Sequence, residues 1–384
     1  KVMTDNRSPW LIALGGMLAL AVAIGLGRFI YTPILPNMIA DLGLSKTQAG
    51  WIASANYVGY LVGALAASSP RLRGSRRLWM IGGLLLGAAT TAVVGLVSDL
   101  AVFMIIRFIG GVASAFAFVY SSTLVVDQLL KINQGGLSAV HFGGVGLGIT
   151  LSALIVSGAV IIGIDWRGQW IAGGLVSLIA ALLVCLLVPE QSQSGAVSGA
   201  GEKKPGLIAL IAAYGLFGFG YIITATFLMT IVRETGGVHK LEPVIWLVVG
   251  LTGIPSVAAW MWVGRRVGVL KAFSIACIAE VIGVCASVLW SSPIALLMAG
   301  ILLGGTFIAL TALGLVGGRA FTTGDPRQVV GLMTASFGFG QIVGPTYAGT
   351  LYDMTGSFIP ASMTAVVALI VSSVVVLYIS NRNF

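Results

Sequence analysis

The sequence predicts an all-α membrane protein in which twelve transmembrane helices form two pseudo-symmetric six-helix bundles. Three observations lead there. Of 384 residues, 58% are hydrophobic and 9% charged, whereas soluble domains carry about 25% charged side chains. A mean hydropathy of +1.03 over this length excludes a water-facing surface, so the lipid bilayer is the solvent of most side chains. Lastly, apolar runs long enough to cross a bilayer recur twelve times, since a hydrocarbon core about 30 Å thick needs about 20 helical residues.

Span 1 covers 10–37, and spans 2 and 3 cover 47–69 and 78–97 on either side of a basic loop, Arg71 to Arg77. Spans 4 and 5, at 101–125 and 135–161, flank Lys131, and span 6 at 169–188 completes an N-terminal bundle, residues 1–188. The stretch 189–206, PEQSQSGAVSGAGEKKPG, is polar, rich in Gly and Ser and without period, which reads as a flexible linker. Spans 7 to 12 follow at 207–232, 243–263, 270–290, 294–316, 329–351 and 358–380, giving a C-terminal bundle, residues 207–384. Lys1 and Arg7 precede span 1 as basic residues precede a signal peptide. The apolar run is about twice as long as a signal's hydrophobic core and no small-residue cleavage site interrupts it, so a retained helix is expected.

Loop cations set the orientation. Lys1, Arg7, Arg71, Arg73, Arg76, Arg77, Lys131, Lys203, Lys204, Arg265, Arg266, Lys271, Arg319, Arg327 and Arg382 gather on one side, against Lys46, Arg167, Arg233 and Lys240 on the other. Both termini and the linker are therefore expected in the cytoplasm. The net charge of +9 is explained by topology, which removes nucleic acid as a partner. Cys185, Cys277 and Cys285 lie in apolar runs and read as small buried hydrophobes. His141 and His239 are too far apart in sequence to suggest a metal site, and no metal or cofactor is expected. The chain has no GxxxxGK[ST] for nucleotide phosphates and no HExxH, so neither an ATP-driven pump nor an intramembrane enzyme is expected.

The two halves repeat. GLGRFIYTPILP at Gly25 stands over GFGYIITATFLM at Gly218, an offset of 193. RFIGG at Arg107 stands over ILLGG at Ile301, offset 194, and Gly144 and Gly148 over Gly340 and Gly344, offset 196. Internal repeats of this kind mark transporters whose site lies between halves. The register also exposes differences: Arg28 is matched by Tyr221, Arg107 by Ile301, and Glu280 faces apolar residues around Leu86.

Several motifs resemble those of the major facilitator superfamily, over essentially the whole chain. The loop from Gly63 to Arg77 keeps the family's glycines and basic residues, with Ala67 and Ser68 near the expected Asp. Its counterpart in the second half keeps Gly264, Arg265, Arg266 and Gly268. RFIGGVASA from Arg107 is similar to the span-4 motif of proton-coupled members. The Gly-Pro pattern of antiporters is incomplete in span 5 and present in span 11 at Gly340, Gly344, Pro345 and Gly349. GRFIYTPILP, GYIITATFL and GQIVGPTYAGTLYD look most like a bacterial YbfB/YjiJ-type branch. The resemblance implies a secondary transporter of the cytoplasmic (inner) membrane, monomeric, working by alternating access. It also implies that spans 1, 4, 7 and 10 line the cavity, which ranks Tyr31, Tyr120, Tyr221 and Thr224 as substrate contacts.

Arg28 is the one charged side chain between Trp10 and Ala40. It lies eight residues before Pro36, about 12 Å inside its helix, and Arg107 lies at similar depth in span 4. A guanidinium in lipid costs about 2.5–3.5 kcal/mol on insertion scales, so both should face the bundle interior. Either they offer paired donors to an anionic substrate, most simply a carboxylate, or each is capped by helix carbonyls or Glu280 and only holds helices together. Glu280, near mid-bilayer in span 9, and His141, early in span 5, are the candidates for coupling transport to protons. The alternative cargo is a drug or lipophile, exported through an apolar cavity.

Overall fold

Why a chain this apolar still specifies one arrangement is visible in how its helices end and where they touch. The computed structural model describes residues 8–69, 72–190, 205–235, 241–323 and 327–383. Lys1, Arg7, Arg71, Lys203, Lys204, His239, Lys240, most of the expected linker and the side chain of Arg327 lie outside the described residues. Among the described residues twelve long helices follow one another: α1 Pro9–Leu42, α2 Lys46–Ala67, α3 Arg76–Val94, α4 Leu100–Lys131, α5 Ser138–Ile161, α6 Trp166–Leu187, α7 Leu207–Glu234, α8 Glu242–Val267, α9 Val269–Leu289, α10 Pro293–Arg319, α11 Arg327–Thr355 and α12 Ile359–Asn383. Short polar caps start several of them. Asp99, Asp165 and Ser292 each accept an amide from the first turn of α4, α6 and α10, satisfying donors that have no partner within the helix itself.

Ten of these helices are both long and apolar enough to cross a membrane. The other two, α2 and α11, are long enough but more polar, and they pack against each other. Their polar residues, including Asn56 and Gln341, are buried against protein, so lipid does not penalise them. Within the first six helices the main pairings are α2 with α4, α3 with α4, α3 with α6 and α1 with α5; within the last six they are α8 with α10, α7 with α11, α9 with α10 and α9 with α12. The two sets meet where α5 runs along α8, α2 along α11 and α1 along α7. Lipid tails are as apolar as leucine, so such contacts depend on close backbone approach. Gly111 is one example: a Cβ there would overlap the Asn56 carbonyl of α2.

Span 1 departs from the uninterrupted helix that its apolar run predicts. It is α-helical over Pro9–Leu20, widens to a π-turn over Ala21–Leu26, passes through irregular hydrogen-bonded turns at Gly27–Ile30 and resumes as α-helix at Tyr31–Leu42. The wider pitch shows in the bond from Gly27 N to Val22 O at 2.9 Å. Gly25 sits so close to Gly148 of α5 that a side chain on either would strike the other's backbone. Such breaks survive at membrane depth only where protein groups take the released carbonyls, and Arg28 is located in this one.

Candidate functional site

Three side chains from α4 and α2 secure the break in α1. Ser114 Oγ donates to Ala23 O at 2.5 Å. Arg107 donates from Nη1 to Gly27 O at 2.9 Å and from Nη2 to Arg28 O at 3.2 Å. Asn56 Nδ2 in turn donates to Arg107 O at 2.9 Å. The Arg107 guanidinium lies 5.4 Å from the centre of the Tyr31 ring and 5.5 Å from that of Trp170, within cation–π range. Of the two roles open to Arg107 in the sequence, this conformation presents the capping of helix carbonyls, with Nε alone left over.

Arg28 is arranged differently. Its guanidinium rests 4.2 Å from the Tyr60 ring centre and 4.9 Å from that of Tyr57. These tyrosines are three residues apart on α2, hence on one helix face. The side chain is 5% exposed, yet Nε and Nη2 have no hydrogen-bond partner among the described residues. The rings lie against the cation, and Nε with Nη2 forms the edge where a carboxylate binds in two parallel hydrogen bonds.

The second half of the molecule brings an aromatic wall to the same seam. Tyr221 lies nearly parallel to Phe307, 5.5 Å away at 10°, and to Phe337, 5.7 Å away at 7°. Phe29, the neighbour of Arg28, meets Phe307 edge-on at 5.5 Å. Gln341 Nε2 donates to the Tyr221 hydroxyl. Thr224, one turn further along α7, is buried with its hydroxyl unpaired.

The remaining expected residues are distributed more widely. Tyr31 gives its hydroxyl to Ala49 O at 2.8 Å, so it supports α2 beneath Arg107. Tyr120 bonds Ala67 O at 3.2 Å and is thirteen residues beyond Arg107 on α4, about 20 Å away along the helix. His141 shares a 3.2 Å contact with Ser122 Oγ and is wholly buried in the first half. Glu280 is 1% exposed; Oε2 bonds the Thr306 hydroxyl of α10 and Oε1 has no partner. Tyr57, Tyr60, Phe29, Phe307, Phe337 and Gln341 were not ranked from sequence. The spacing of Asn56, Tyr57 and Tyr60 was the usable signal, since it puts three polar-tipped side chains on the side of α2 that also holds α4.

At the end opposite the termini the two halves are latched by polar groups. Asp353 of α11 accepts the amides of Lys46 at 3.0 Å and Thr47 at 2.8 Å, where the positive end of the α2 dipole favours an anion. Lys46 Nζ meets Glu234 at 2.8 Å, and Arg233 grips Glu242 with two bonds while donating to Asn37 Oδ1 at 2.8 Å. Deeper in, Ser54 Oγ donates to Ile342 O at 2.7 Å. Burial alone would raise the Asp353 carboxyl, but bonds from the Thr47 hydroxyl and the two amides outweigh it and hold it below the usual carboxylate range. A depressed folded-state value means the latch is at full strength above the ordinary carboxyl range and weakens only as pH falls through the lowered value. Mildly acidic medium therefore leaves it shut. Asp353→Asn is expected to speed maleimide labelling of a cysteine placed at Ile342, whose side chain makes none of these bonds, in a background without native cysteines, by about two- to fivefold, the scale of a charge at a helix N-terminus. Unchanged labelling would deny the latch its role.

Lipid-length helices packed as two sets of six around a buried polar seam are the build of a membrane transporter. Residues 20–377 match the family described as "Uncharacterised MFS-type transporter YbfB", and the chain belongs to it, a family of the major facilitator superfamily. It is 26% identical to a chloramphenicol resistance protein of Streptomyces lividans over 93% of this chain and 94% of that one. It is 27% identical to the 4-hydroxybenzoate transporter PcaK of Acinetobacter baylyi, over 52% of this chain and 43% of that one. A solved structure of a mutant nucleoside transporter, NupG, shares the fold with a TM-score of 0.73 and 15% identity, covering 97% of this chain and all of that one. The protein is thus a multi-pass membrane transporter and not an enzyme.

Proposed function

We propose that this transporter moves a small organic anion, a carboxylate, across the bacterial inner membrane by alternating access coupled to protons. The observation that carries this reading is the Arg28 edge: two guanidinium donors, buried and unpaired, at the seam between the halves. Desolvation has already been met by the Tyr57 and Tyr60 rings, so a carboxylate would gain two charge-assisted bonds. Tyr221 and Thr224 face the cargo from the second half, while Arg107 and Tyr31 keep α1 broken and Arg28 in place. Tyr120, far along α4, would touch cargo only on its way out. The bundles 1–188 and 207–384 rock about the seam, joined by 189–206, with both termini in the cytoplasm and one chain sufficing. Glu280, with Oε1 unpaired, and His141 are the groups that would carry the proton. The similarity to a 4-hydroxybenzoate transporter agrees with a carboxylate cargo.

A second reading, a proton-driven exporter of drugs or lipophiles, is favoured by the aromatic wall and by similarity to a chloramphenicol resistance protein. Proteoliposomes separate the two. Accumulation or counterflow of a labelled organic acid, quickened by a pH gradient and abolished by a protonophore, is expected; efflux of neutral dyes with no flux of any acid would favour the exporter.

A further inference from the structure

We propose that the anion carried by this protein also bears a hydrogen-bond donor, a hydroxyl or amino group, on a flat aromatic body, and that Gln341 receives it. This rests on the reading of Arg28 as the anion site.

The two polar ends of the seam are of opposite kind. Arg28 has only donors to offer, and two of them, Nε and Nη2, are unpaired. Gln341 on α11 is 0% exposed. Its Nε2 is committed to the Tyr221 hydroxyl, and its Oε1 has no hydrogen-bond partner among the described residues. An unpaired buried carbonyl asks for a donor as an unpaired guanidinium edge asks for an anion. A simple carboxylate satisfies one end and leaves the other unmet. A hydroxy or amino acid satisfies both.

The chain of contacts that links them is aromatic. Phe29 follows Arg28 in the chain and meets Phe307 edge-on; Phe307 lies parallel to Tyr221, and Tyr221 holds Gln341. Phe307, Tyr221 and Phe337 share one orientation to within about ten degrees of the Tyr221 plane, so a ring sliding in beside them in that orientation would stack on a flat face. Arg28 belongs to the first half and Gln341 to the second. A ligand holding both would tie the halves together, which a ligand held by Arg28 alone would not do.

The test is a competition series on the full-length protein in proteoliposomes, with thermal shift of the purified protein as the binding readout. The probes are benzoate, its three hydroxy and three amino isomers, the corresponding methoxy compounds, and the cyclohexane analogue of the best binder. At least one hydroxy or amino isomer is expected to compete about tenfold better than benzoate and its own methoxy counterpart, because a site built around a hydrogen bond rejects analogues lacking it. The cyclohexane analogue is expected to compete worse. In Gln341→Leu the advantage, read as the ratio of each isomer to benzoate in that same variant, should fall below about twofold. Equal competition by benzoate and all derivatives in the wild-type protein, or an advantage that survives Gln341→Leu, would overturn the assignment and leave the anion site standing. No competition or thermal shift by any acid would overturn the anion reading itself. The wild-type comparison decides the matter if Gln341→Leu does not fold.

Discussion

Replacing Arg28 by alanine is expected to abolish organic-acid flux, lowering transport efficiency by roughly 30- to several-thousand-fold. The range follows from the cost of removing one member of a buried, hydrogen-bonded charge pair, about 2–5 kcal/mol, at about 1.4 kcal/mol per decade. The change should fall mainly on the apparent affinity for the anion, because the alanine variant keeps the break in α1, whose carbonyls are held by Arg107 and Ser114 and not by the Arg28 side chain. Its melting temperature should stay near that of the wild type: the lost cation–π contacts with Tyr57 and Tyr60 are offset by removing a buried charge with unpaired donors. Arg28→Lys should recover only part of the flux, since an ammonium keeps the charge without the planar, two-bonded edge. Flux at the wild-type level in Arg28→Ala across a panel of carboxylates would end the anion hypothesis.

The contrast between the two arginines shows how far the sequence can be read. Lipid solvation is unforgiving, so twelve spans are legible from run length, and the offsets of 193 to 196 between halves announce the repeat. Depth is legible too: nothing but an interior-facing position tolerates Arg28 or Arg107. What each guanidinium does is decided by a local irregularity that run length does not report. The π-turn at Ala21–Leu26 and the irregular turns at Gly27–Ile30 arise where Gly25 lets α5 approach through Gly148. Those glycines were visible as a repeat feature, but a repeat says nothing about a wider helical turn. The aromatic surroundings of Arg28 escaped for a different reason. Tyr57 and Tyr60 read in sequence as interfacial anchors as readily as ligands; their spacing puts them on one face of α2, but only the folded structure brings their ring centres to 4.9 and 4.2 Å from the Arg28 guanidinium.

The second large effect concerns Arg107, whose loss is expected to damage transport through the shape of α1. Arg107→Ala would strand Gly27 O and Arg28 O, two buried carbonyls that lose their partners together. At about 1–3 kcal/mol for each unmet group, the penalty approaches a large share of the 5–15 kcal/mol that holds a typical domain. Two outcomes relieve it: the irregular turns at Gly27–Ile30 settle into ordinary helix, rotating Arg28 away from Tyr57 and Tyr60, or the bundle loosens. Either way flux should fall to background and the melting temperature in detergent should drop by at least about 5 °C. Arg107→Lys should be intermediate in both, since one ammonium lacks the fork that reaches two successive carbonyls. The diagnostic feature is the correlation: across Arg107 variants, anion affinity should track melting temperature, whereas Arg28 variants lose affinity at nearly constant stability. An Arg107→Gln protein that melts like wild type and yet no longer binds any acid would instead make Arg107 a direct ligand, and the division of labour between the two guanidinium groups would have to be given up.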